Sequence, residues 1–245
     1  MGHEIKISII TPSIRPNALE MVYKSLQRQT FKDFEWIVIG NDEVGKLNMP
    51  FAFVKEPPKK DGDYYSLNKA YNAGFSRARG SLLVSLQDGI WLPPDTLNNF
   101  WEHYKANPNA CVGAIGHQYD RIENGKPEHM VWKDPRHRTD FGSFYEIRPI
   151  DIEFTLCSIP RSAVLRVGGI DEVFDKYAAL SEKEMCIRID RLDYTFWLDQ
   201  TIEYRAVKHP RLTSDWDVKY NEGQAYFSEC IHNVISGQRL SLDYL

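Results

Sequence analysis

The chain has 245 residues, 42% of them hydrophobic and 13% aromatic, which is enough to fill a sizeable core and excludes disorder as the main state. A formal charge of −4 and a pI near 6.0 exclude bulk attraction to nucleic acid or to an anionic membrane. No stretch reaches the roughly 18 uninterrupted apolar residues of a membrane span, and the start has no basic-then-apolar leader pattern, so a cytoplasmic location is expected.

In chain order, Ile5 to Ile10 read as a strand, and "PNALEMVYKSLQRQT" follows as a helix with Leu19, Val22 and Leu26 on one face. Two more apolar runs, "FEWIVI" and "FAFV", precede a second helix in which Leu67, Ala70, Tyr71, Gly74 and Ala78 keep helical spacing up to Gly80. Leu82 to Leu86 make a buried strand that ends in Gln87-Asp88-Gly89, and Asp95 is placed to cap the next helix. Repeated β-α alternation predicts a Rossmann-like, mostly parallel sheet flanked by helices. Beyond residue 110 comes the strand "ACVGAIG", and then a polar stretch over 120–145 that reads as a mobile loop. The runs "YTFWLD" and "IEYRAVKH" read as two strands, and a final helix is expected over about 218–236. Cys111, Cys157, Cys186 and Cys230 lie far apart without a paired spacing and read as buried thiols. No repeat or linker interrupts the chain, so a single domain over 1–245 is expected.

In open α/β sheets ligands bind at the carboxyl ends of the strands. Three predicted strands end in polar groups: Thr11-Pro12-Ser13, Gly40-Asn41-Asp42 and Gln87-Asp88-Gly89. Gathered in one cleft, they offer oxygen ligands for Mg²⁺ or Mn²⁺ and donors for phosphate. The competing structural reading is that Asp88-Gly89 is a turn and Asp42 a solvated loop tip.

Long stretches resemble the family 2 glycosyltransferases, inverting enzymes with a GT-A fold. These are "ISIITPSIRPNALEMVYKSLQRQTFKDFEWIVIGND", "LNKAYNAGFSRARGSLLVSLQDGIWLPPDTL", "IPRSAVLRVGGIDEVFD" and "LSEKEMCIRIDRLDY", in the family's order. The resemblance implies a nucleotide-binding half over 1–105 and an acceptor-binding half over 106–245. It implies a nucleotide-diphosphate sugar as donor, UDP-linked, and a saccharide or other hydroxyl-bearing acceptor. Thr11 and Asp42 would lie by the base, with Asn41 as the rival of Asp42, and Asn72 and Gln87 would join them on the donor. Asp88 and His209 would hold Mn²⁺ or Mg²⁺, and Glu182 would be the catalytic base, with Glu184 and Arg188 following on its helix. Gln87 and Gly89 stand where the family commonly has acids, and Tyr71 where it commonly has Arg. Those departures keep a second reading open, a catalytically impaired nucleotide-sugar-binding or scaffold domain. On residue chemistry alone, Glu182 is a base or a first-turn helix acid, Trp132 can stack on a pyranose, and Arg136 or Arg138 can meet phosphate.

Overall fold

A computed structural model describes residues 4–123, 126–140, 142–207 and 215–245. The first half is β1 (Ile7–Ser13), α1 (Pro16–Gln27), β2 (Phe34–Gly40), α2 (Asp42–Gly45), β3 (Ala52–Lys55), α3 (Leu67–Arg77), β4 (Leu82–Leu86), β5 (Ile90–Trp91) and α4 (Thr96–Ala106). The second is β6 (Ala110–Glu123), β7 (Lys126–Lys133), β8 (Phe144–Glu146), β9 (Leu156–Pro160), α5 (Arg161–Arg166), α6 (Ser181–Asp190), β10 (Thr195–Val207) and α7 (Trp216–Ile235).

One sheet crosses both halves in the order β3-β2-β1-β4-β9-β6-β10-β5, with β7 on β6 and β8 on β10. Strands β1, β2, β3, β4, β6 and β10 run one way, and β5, β7, β8 and β9 run against them. The seam is β4, which pairs parallel with β1 and antiparallel with β9. Every residue of β4 is buried because helices cover both sheet faces. Leu82, Val84 and Leu86 enter one apolar cluster and Leu83 the other. Fully burying each such side chain contributes roughly 1.5–3 kcal/mol. All four cysteines are buried free thiols, as expected.

Three local expectations are corrected. The polar stretch after residue 120 is not a loop throughout: β6 and β7 form a hairpin held by backbone ladder bonds, with β7 almost wholly exposed. No buried face marks it, so hydrophobic periodicity cannot find it. Thr195 to Asp199 of the first run and Ile202 to Val207 of the second belong to one strand, β10, with its register against β6 shifted between Asp199 and Glu203. Asp95 precedes α4 without capping it, and accepts a 2.8 Å hydrogen bond from the Thr30 hydroxyl. No described helix is long and apolar enough to cross a membrane.

Candidate active site

Past Leu86 the chain stays tied to the sheet, since the Gln87 N–H donates to the Thr155 carbonyl at 3.0 Å. Gly89 then turns at φ 71°, in the left-handed region that glycine adopts without a Cβ penalty. Its N–H donates to the Ala18 carbonyl of α1 at 3.2 Å. Held on both sides, Asp88 is only 7% exposed, yet its carboxylate borders open clefts. The Ser13 hydroxyl donates to Oδ2 at 2.6 Å, and Arg15 donates Nε to Oδ2 at 3.0 Å and Nη2 to Oδ1. Strand β1 and the first turn of α1 thereby deliver a cation to the end of β4.

Three adjoining clefts meet at Gln87, which lines all of them. The largest, about 640 Å³, lies between Asp88 and the hairpin, with Trp132, Glu153, Lys183 and Tyr204 on its walls. A second, about 290 Å³, lies over the ends of β1 and β2 and is bordered by Pro12, Ser13, Glu56, Lys59, Tyr65 and Asp88. The third, about 160 Å³, contains Glu182 with Tyr71, Glu153, Phe154 and Tyr177. Arg15 borders the first two and Glu153 joins the first to the third.

Glu182 sits in the first turn of α6, half-buried beside Ser181, whose hydroxyl donates to its carboxylate at 3.3 Å. Ser181 is not the helix cap. Leu180 occupies that position at φ 81°, a conformation that costs a non-glycine residue on the order of 1–2 kcal/mol. Burial pushes the Glu182 carboxyl above the ordinary Glu range; Lys183 pulls back against that and the Glu153 carboxylate adds to it. Lys183 is itself held, donating to Glu153 at 3.2 Å and to the Ile150 carbonyl at 3.0 Å. The arrangement is a carboxylate of enhanced proton affinity, one cleft wall away from a cation on a carboxylate.

No family model matches this chain, and no curated protein matches its sequence. Among solved structures it is similar to the crystal structure of S. aureus TarS 1–349 in complex with UDP, with a TM-score of 0.63 and 13% identity. The fold is GT-A-like. The likeness covers 93% of this chain and 66% of that one, so the chain spans just under two thirds of the similar structure. In this GT-A-like frame the clefts lie where an open sheet offers them, at the carboxyl ends of β1, β2 and β4.

The structure gathers only some of the residues expected here. Asp88 and Gln87 share the clefts, and Glu182 borders the one that Gln87 completes. Thr11 points into the core, fully buried, and accepts from the Trp36 indole at 3.0 Å. Asn41 caps α2 by accepting from the Val44 N–H at 3.1 Å, and Asp42 turns outward to pair with Lys55 at 2.9 Å. Neither borders the clefts described here; Glu56 holds the corresponding wall, in contact with the Ser66 hydroxyl. Asn72 is buried, its amide bonded to both the N–H and the carbonyl of Ile170, at 2.9 and 2.8 Å. Tyr71 is buried too, with its hydroxyl 3.1 Å from that of Ser85.

Glu184 and Arg188 form a fully buried ion pair at 2.9 Å, and Arg188 also donates to the carbonyls of Val167 and Gly169. Arg136 is locked on Asp134 at 2.6 Å and on the carbonyls of Asp151 and Ala114, which removes it as a phosphate ligand. Trp132 is 42% exposed on the rim of the largest cleft, free of any core role. His209 lies outside the described residues. The sequence reading did not single out Arg15, Glu56 or Glu153. The one signal for Arg15 is its place directly before the Pro16 that opens a helix at a strand end.

Among the described residues, the donor set at Asp88 does not fit the divalent ion that the family resemblance implies. Gln87 brings a neutral amide and Gly89 no side chain, while both Asp88 oxygens are held by Ser13 and Arg15. Among the described residues no group of three His, Cys, Asp or Glu side chains gathers to hold a metal.

Proposed function

We propose that this chain transfers a glycosyl group from a nucleotide-diphosphate sugar, UDP-linked, to an acceptor hydroxyl with inversion at the anomeric carbon. The nucleoside would occupy the cleft over β1 and β2, and the sugar and acceptor the space between Gln87, Glu153 and Glu182. The acceptor oxygen attacks the face opposite the diphosphate, a carbon–oxygen bond forms as the bond to the diphosphate breaks, and the acceptor proton passes to Glu182. The observation that carries this reading is the Glu182 carboxyl, raised by burial and bordering a cleft that adjoins, at Gln87, the two clefts lined by Asp88. A carboxylate with raised proton affinity is a stronger base. The GT-A-like fold and the UDP bound in the similar S. aureus TarS structure support a nucleotide donor.

A catalytically impaired binding domain is the second reading, favoured by Gln87 and Gly89 in place of acids. Turnover of nucleotide sugars separates the two. Glu182→Gln is expected to lower transfer by about 10²–10⁴ and leave UDP affinity unchanged. Because the base must be ionised, activity should fall as pH drops through the raised Glu182 pKa, so the acid limb should lie above the ordinary Glu value of about 4.3. Near-native transfer by Glu182→Gln, together with collapse in Glu153→Gln, would move the base to Glu153.

A further inference from the structure

Arg15 lies at the junction of the nucleoside cleft and the largest cleft, with its side chain 34% exposed. Its Nε and Nη2 are fixed on Asp88, while Nη1 makes no hydrogen bond to any described residue. A guanidinium clamped by a carboxylate cannot wander, and the unused amine is a fixed donor to an anion. Of the other cations on these walls, Lys183 is engaged by Glu153 and the Ile150 carbonyl and Arg136 by Asp134, while Lys59, with one bond to the Tyr64 carbonyl, borders the nucleoside cleft but not its junction with the largest.

From this geometry we propose that Arg15 is the cation that receives the donor diphosphate, so that nucleotide binding by this chain needs no divalent metal. The proposal rests on the nucleotide-sugar reading above. Asp88 becomes a positioning residue that aims Arg15, which explains how the site tolerates Gln87 and Gly89 where a metal would need acids. As the bond from the anomeric carbon to the diphosphate oxygen breaks, the leaving group gains negative charge, and the Arg15 guanidinium meets it with charge-assisted hydrogen bonds.

Calorimetric titration of the full chain with UDP, once with EDTA and once with MnCl₂, tests this without recourse to activity. The two dissociation constants should agree within about threefold. Arg15→Ala should weaken UDP binding about tenfold or more, while uridine, which has no diphosphate, keeps its affinity. Should the single variant melt early from an unpaired Asp88, Arg15→Ala combined with Asp88→Asn removes both charges and is expected to lose the UDP affinity with no gain from MnCl₂.

UDP binding by the native chain that vanishes in EDTA and returns with MnCl₂ would overturn the proposal, as would unchanged UDP affinity in Arg15→Ala. Absence of UDP binding in both buffers would remove the nucleotide reading itself and this assignment with it.

Discussion

Two arginine–carboxylate centres differ in what their charges face: the Arg15–Asp88 pair at the end of β4, and the cluster of Asp171, Glu184, Arg188 and Arg239 around α6. In the second, Asp171 is 1% exposed and accepts from the Val173 N–H, the Tyr226 and Tyr244 hydroxyls and Arg239. All three nitrogens of Arg188 are bonded, to Glu184 and to the backbone of Val167 and Gly169. Arg188 is closed, and the charges of this centre serve to hold the Gly168-Gly169 turn, α6 and the C-terminal segment together; Arg239, whose Nη1 likewise meets no described residue, borders none of the clefts at Gln87. The Asp88 centre has the same residue types but leaves one guanidinium nitrogen uncommitted beside open clefts. What separates a structural arginine from one available to a ligand is a donor unanswered by the protein that also faces an open cleft.

The contrast can be broken most sharply at Arg188. Arg188→Ala leaves the buried Glu184 with Arg239 alone and orphans the carbonyls of Val167 and Gly169, and the expected loss is about 3–5 kcal/mol, readable as a fall in the urea midpoint. A normal midpoint with UDP affinity lost would make Arg188 a ligand residue and erase the distinction. Next in size is Asn72→Ala, which orphans the N–H and carbonyl of Ile170 and should cost about 1–3 kcal/mol without altering UDP affinity in the protein that remains folded. The smallest effect is expected from Asp42→Ala, where an exposed pair with Lys55 is screened by solvent. Both the melting temperature and UDP titration should match the native chain. Weakened UDP binding there would restore Asp42 to the nucleoside.

The strands β1, β2 and β4 and the helices α1 and α3 are legible in the sequence because each buries a periodic apolar face against the sheet. The hairpin of β6 and β7 is not, because ladder hydrogen bonds hold it with no buried stripe on β7. Of the candidate site, Gln87, Asp88 and Glu182, which line the adjoining clefts, are marked by motif order. Arg15 was not, since its partner lies 73 positions away and only the parallel pairing of β1 with β4 brings them together. Asn41, Asn72, Glu184 and Arg188 show the converse. Motif similarity marks a polar residue without saying whether its side chain points to a ligand or to the backbone of its own protein.

The closed centre also sets an order on biosynthesis. Glu184 waits for Arg239, 55 positions later, and Asp171 for Tyr244, 73 positions later. At about 5–20 residues per second a ribosome leaves those two distant contacts unmade for seconds. The helix bearing Glu182 is therefore fully braced only once the nascent chain has emerged past residue 244, and the first half, with Arg15 and Asp88, has time to fold before the wall that faces it.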